Sequence, residues 1–229
     1  MNQPLQTPYG GLASNAQQRN RVLRNTYALL AVSLLPTVAG AWLGVSTGLG
    51  TALSGGMGLI AFFVGAFGFM WAIEKNKNNP AGVYLLLGFT FFMGVMMSRL
   101  VGMVLGLSNG ANLIMLAFGG TAAVFAGMAG LAGVIKRDLS GMGKFLFIGA
   151  IILMVAGIAN FFFQSSALML TLLVACLGLF SAFLLYDLKR VIDGGETNYV
   201  SATLAIYMNL YNIFQSLLSL LGIFGGERE

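Results

Sequence analysis

Seven long apolar runs follow one another along the chain, at residues 26–47, 51–73, 83–106, 111–135, 145–163, 167–188 and 199–224. A helix that crosses a membrane needs about 20 mostly apolar residues to match a hydrocarbon layer about 30 Å thick. Each run is about that long. A strand of a membrane barrel would alternate over about 10 residues instead of running continuously apolar. The pattern predicts an all-α integral membrane protein with seven transmembrane helices.

The last run differs from the other six. Asn209, Asn212, Ser216 and Ser219 recur at spacings of three and four, so they share one face of a helix, and Gln215 borders that face. Lipid offers no hydrogen-bond partner, so the polar stripe is expected to point into the bundle. The last helix is therefore expected to be central, with the first six packed around it as three helical hairpins. The stripe would serve as hydrogen-bonding glue between helices or as the lining of a wet cavity.

Charge placement gives this architecture a direction. Arg19, Arg21 and Arg24 precede the first run, and Lys75 and Lys77 lie in the second connection. Lys136, Arg137 and Lys144 lie in the fourth, and Lys189 and Arg190 in the sixth. With seven single spans, these ten of the twelve basic residues fall on one face, which the positive-inside rule makes cytoplasmic. The N-terminus is then cytoplasmic and the C-terminus, with Arg228, outside; a re-entrant last segment would return it inside. Residues 1–18 are rich in Gln, Asn, Pro, Ser and Gly and read as a flexible cytoplasmic tail, leaving residues 19–229 as a single seven-helix domain.

Composition agrees. The chain is 58% hydrophobic and 8% charged, with mean hydropathy +0.86, against about 25% charged residues in a soluble domain. The net charge of +5 is spread between apolar runs rather than gathered in one patch, so a nucleic-acid partner is not expected. Cys176 is the lone cysteine and histidine is absent, which removes the commonest general base and metal ligand. No nucleophile–base spacing or metal-ligand cluster is present, so neither an enzyme nor a resident cofactor is expected. Small residues recur at Gly40, Gly44 and Gly48, at Gly94, Ser98, Gly102 and Gly106, and at Gly127, Gly130 and Gly133, the spacing that marks close helix contacts.

Two charged residues enter the runs. Arg99 stands about seven residues from the end of the third, roughly 10 Å at 1.5 Å per residue. It either snorkels to the interface or pairs inside with a carboxylate. Asp187 lies in LLYDLKRVID, in a helix expected to continue to Ile192 and stop at Asp193-Gly194-Gly195. A carboxylate there must be hydrated, paired or protonated. Arg190 at i+3 is its local candidate partner, and Lys or Asn side chains of the second connection are another source. Counted from the helix ends, Asp187 and Asn209 would differ in depth by roughly 10 Å.

Three stretches carry a resemblance. Asn20-Arg21-Val22-Leu23-Arg24-Asn25-Thr26-Tyr27, Asp193-Gly194-Gly195-Glu196-Thr197-Asn198-Tyr199 and Tyr207-Met208-Asn209-Leu210-Tyr211-Asn212-Ile213-Phe214 are similar to those of the Bax inhibitor-1 (transmembrane BAX inhibitor motif) family, in its bacterial YccA-like branch. The likeness runs from about Arg19 to Phe224, and its ends are more specific than its apolar middle. It implies a seven-helix fold with the last helix surrounded by the other six. It also implies two functions. YccA-like proteins of the inner membrane bind and restrain the membrane AAA protease FtsH. Other members are pH-sensitive calcium leaks that use two aspartates. Asp187, in Leu185-Tyr186-Asp187, matches the first of these, and Asn209 stands where the leak members have the second. Asp187 and Asn209 are thus the candidate pH and ion sensor, with calcium the ion that reading would bring to Asp187. An Asp–Asn pair has one titratable group and no like-charge repulsion. A calcium site would also lose one of two charges.

Overall fold

A computed structural model describes residues 9–53 and 55–226. Eight helices account for them: α1 Tyr9–Thr47, α2 Leu49–Ala52, α3 Gly55–Asn76, α4 Pro80–Leu105, α5 Gly110–Val134, α6 Met142–Phe163, α7 Ser166–Ile192 and α8 Tyr199–Gly226. All but α2 are long and apolar enough to cross a membrane. The all-α, seven-span expectation holds, and the helix ends have local causes. Gly48 (φ 72) and Gly55 (φ 74) take up left-handed backbone, which glycine adopts without steric cost. Gly48 separates α1 from the short α2, and Gly55 opens the spanning α3. Pro80 stands at the first position of α4, where its missing N–H costs nothing. At the end of α7, Gly194 (φ 81) lets the N–H groups of Gly195 and Glu196 return to the carbonyl of Arg190, as the Asp-Gly-Gly sequence predicts. The side-chain carbonyl of Asn198 then accepts from the N–H groups of Val200 and Ser201, at 2.9 and 3.1 Å, and so caps the start of α8.

α1 begins at Tyr9, inside the stretch read as a flexible tail. Residues 9–25 contain no proline and are rich in Leu, Ala, Gln and Arg, so the helix of the first span continues backwards through them. Residues 1–8 lie outside the described residues, as does Arg228.

The packing corrects the hairpin arrangement. α8 packs against α1, α3, α4, α5 and α7, which makes it a central post. α6 instead joins the bundle through α7, so the last helix is not enclosed by three equal hairpins. The first two spans do not form a packed hairpin either: α1 lies along α4, and α3 packs on α4 as well. Glycine explains the choice. A Cβ on Gly40 would meet the Phe91 carbonyl, one on Gly94 the Thr37 carbonyl, and one on Gly44 the Ser98 hydroxyl. Two small-residue faces interlock there with backbone against backbone. The other expected small-residue contacts are absent. Around Gly127, Gly130 and Gly133 the space is open, Gly48 and Gly106 serve helix ends, and Gly102 touches only Val45. The core runs through Ile73, Leu86, Phe89, Met93, Leu184, Leu188, Ile206 and Ile213, all fully buried. Large apolar side chains such as Leu35, Trp42, Trp71, Phe145 and Phe162 face outward, as a lipid-facing surface requires.

Candidate functional site

Asp187 and Asn209 meet where α7 crosses α8. The Asn209 amide donates to the Asp187 carboxylate across 2.7 Å. Asn209 is 4% exposed, and Asp187 is half-buried. The expected depth difference of roughly 10 Å is therefore wrong, because it counts from the end of α7 and the start of α8 as if the two were level. The start of α8 is held at the α3–α4 connection, so distance from the helix start overstates the depth of Asn209.

Arg190 is not the partner of Asp187. Its guanidinium pairs with Glu196 at 3.2 Å. Beside it, the nearly buried Lys189 donates to Asp193 across 2.6 Å. Among the described residues, the one hydrogen bond to the Asp187 carboxylate is that from Asn209. The arrangement can hold one charge, or one proton, inside the bundle against an amide.

The rest of the stripe divides. Ser216 and Ser219 are buried, as expected. Asn212 is half-buried, but its amide donates to the Met208 carbonyl of its own helix at 2.8 Å and bridges no helices. Gln215, which borders the stripe, is exposed and so is not part of its buried face. Six residues beyond Asn209, it is turned by about 120° around a helix that advances about 100° per residue. Arg99 is likewise exposed and makes no ion pair or hydrogen bond among the described residues, so it does not pair with an interior carboxylate.

Three contacts went unread in the sequence. On the far side of α8, the Tyr207 hydroxyl bonds with that of Thr37 at 2.9 Å and donates to the Thr90 carbonyl at 3.4 Å. One turn earlier, the Thr203 hydroxyl donates to the Thr26 carbonyl at 3.3 Å and to its own helix at 2.7 Å. At the basic face, the Asn198 amide donates to the Lys77 carbonyl at 3.1 Å and the Asn78 side chain at 2.9 Å, and Ser201 donates to Glu74 at 2.9 Å. The α3–α4 connection therefore reaches the α7–α8 connection through the Asn198 amide, and Glu74 of α3 is tied to Ser201 of α8; neither link uses the acid near the end of α7. A cleft of about 620 Å³ opens beside this link, lined by Asn78, Pro80, Tyr84 and Thr197 among others. Asn198 was the readable one of these: an asparagine just before an apolar helical run is a capping signal. Tyr207 and Thr203 gave none, because a hydroxyl in an apolar run does not say which helix it meets. Lys77, in the connection, is held above its ordinary value of 10.5 chiefly by donating to Glu74.

Among the described residues, no group of three or more His, Cys, Asp or Glu is placed to hold a metal ion. A cation at Asp187 would find one carboxylate, with the N–H rather than the oxygen of Asn209 turned toward it.

Comparison with known proteins covers nearly the whole chain. The family described as "Inhibitor of apoptosis-promoting Bax1" matches residues 19–226. An uncharacterized protein of Neisseria meningitidis serogroup A is 40% identical over 215 residues, 91% of this chain and 93% of that protein. The Escherichia coli K12 protein named "Modulator of FtsH protease YccA" is 35% identical over 204 residues, 89% of this chain and 90% of its own. An uncharacterized membrane protein of Vibrio cholerae is 35% identical over 223 residues, 97% and 98% of the two chains.

Proposed function

The chain belongs to the family of inhibitors of apoptosis-promoting Bax1, in its YccA-like bacterial branch, and within it we propose that this protein is an inner-membrane regulator that restrains an FtsH-type membrane AAA protease. The observation that carries the reading is the likeness to the E. coli protein named "Modulator of FtsH protease YccA", over 89% of this chain and 90% of that one. Two physical features suit it. A helical N-terminal extension continues α1 beyond the span, on the basic face that the positive-inside rule makes cytoplasmic. A cytoplasmic ATPase could seize it there. The interlocked α1–α4 contact and the ties between the connections of the basic face then resist extraction, so an engaged protease is held rather than fed. The reading needs no catalytic group on this chain.

The test is co-purification with the protease and the rate at which the protease degrades a membrane substrate. Added full-length protein slows degradation, and deletion of residues 1–18 weakens binding. Equal binding after the deletion removes the tail mechanism, and an unchanged degradation rate with full-length protein removes the regulatory reading.

A second reading, a pH-sensitive cation leak with Asp187 as sensor, draws support from the contact of Asp187 with Asn209. The amide in place of a second carboxylate weakens it. Calcium flux into proteoliposomes decides. Asp187→Asn abolishes any flux the pair controls, and Asn209→Asp steepens its pH dependence. Absence of flux from the wild type sinks this reading.

A further inference from the structure

Arg99 stands beside a cavity of about 240 Å³ at the face opposite the basic connections, walled in part by Gly44, Gly48, Gly50, Gly102, Ser98 and Thr51. We propose that this cavity binds the phosphate group of an anionic phospholipid. The guanidinium is always charged and offers five donors in a planar fork that matches phosphate oxygens. None of the described carboxylates reaches it: no ion pair or hydrogen bond to Arg99 exists among the described residues. Glu74, Asp138, Asp193 and Glu196 belong to the opposite face, and Asp187 is engaged by Asn209. The hydroxyls in the wall are already committed, Ser98 to the Val95 carbonyl and Thr51 to the Gly48 carbonyl, each at 2.6 Å. Arg99 is thus the group that recognises the ligand, and the absent side chains of the glycines make the room.

Depth selects the source of the phosphate. α4 has 26 residues, about 39 Å, so it exceeds a hydrocarbon layer of about 30 Å by roughly 4–5 Å at each end. Arg99 lies six residues before Leu105, about 9 Å from the helix end. Its backbone is therefore a few ångströms inside the hydrocarbon, and its extended side chain carries the guanidinium out to the headgroup layer. A lipid phosphate already resides there. This inference is independent of the protease reading and stands if that reading fails.

The experiment uses the full chain purified in mild detergent, with bound lipid counted by native mass spectrometry and titrated with phosphatidylglycerol, phosphatidylcholine or inorganic phosphate. Wild type retains phosphatidylglycerol and prefers it to phosphatidylcholine. Arg99→Gln lowers that affinity about tenfold, in keeping with the loss of a charge-assisted contact. Arg99→Lys restores part of it, since a point charge remains without the fork. Gly102→Leu fills the cavity while leaving the cation, and lowers affinity as well; it carries the test if Arg99→Gln does not fold. Retention of phosphatidylglycerol by both variants at the wild-type level overturns the proposal. So does wild-type binding that ignores lipid charge. Displacement of the lipid by inorganic phosphate as readily as by phosphatidylglycerol would assign the cavity to a free anion and overturn the lipid assignment.

Discussion

The two sides of α8 solve the problem of polar groups in a membrane differently. Toward α1 and α4, Thr203 and Tyr207 are buried, and their hydroxyls find oxygens on those helices. The partners are neutral, and behind them the helix backbones touch at Gly40 and Gly94. Toward α7, Asn209 meets the carboxylate of Asp187, which is half-buried and has a single protein hydrogen bond among the described residues. One side is a seam of buried hydroxyls that ties the post to α1 and α4. The other keeps one ionisable group beside an amide, in a contact that a proton or a cation would alter. The difference separates polarity that only joins neutral groups from polarity that includes an ionisable one, although both kinds lie on the same helix.

Substitutions can break this contrast from either side. The largest effect is expected in the seam. Gly94→Val places a side chain against the Thr37 carbonyl, and the backbone cannot yield without parting α1 from α4. Overpacking of this kind costs about 1–3 kcal/mol or more, read as a fall in the unfolding midpoint. Gly127→Ala is its counterpart. With open space around it, the same kind of change gains helix propensity and stabilises by up to about 1 kcal/mol.

On the α7 side, Asp187→Leu leaves the Asn209 amide buried without its acceptor, at a cost of about 1–3 kcal/mol. Asp187→Asn keeps an acceptor oxygen and costs less, so the ratio of the two losses measures how much of the site is hydrogen bond rather than charge. Tyr207→Phe, on the seam side, loses one neutral hydrogen bond and about 0.5–1.5 kcal/mol.

The smallest effect belongs to the connection. Lys77 holds its proton more firmly in the folded protein through Glu74. Whatever stability it adds is present below the ordinary lysine value of 10.5 and is lost as pH rises through the higher folded value. Lys77→Ala is therefore close to silent in thermal unfolding at neutral pH, because a solvent-accessible i,i+3 ion pair is screened and contributes little. Any difference between the variant and the wild type narrows at strongly alkaline pH.

The spans were legible in the sequence because continuous apolar length is a direct physical requirement of the membrane. The central place of α8 was legible from Asn209, Ser216 and Ser219, which lipid would not solvate. Helix partners were not. The spacings at Gly40 and Gly44 and at Gly94 and Ser98 identified two faces suited to close contact but not that they meet each other, and Gly127, Gly130 and Gly133 show the same spacing with nothing packed on them. The Asp187–Asn209 contact was obscured by counting depth from helix ends, since the end of α7 and the start of α8 are not level. Gln215 lies at the border of the stripe, where the helix wheel alone does not decide whether a residue is covered, and it is exposed.

The contact between Asp187 and Asn209 is central to this account, and a double-mutant cycle tests it directly. Unfolding free energies are measured in one lipid–detergent mixture for the wild type, Asp187→Ala, Asn209→Ala and the double variant. A bonded pair predicts a coupling of about 1 kcal/mol or more, with the double variant less destabilised than the sum of the single ones. Additivity within about 0.3 kcal/mol would mean that the two side chains do not meet in the folded protein, and would contradict the account.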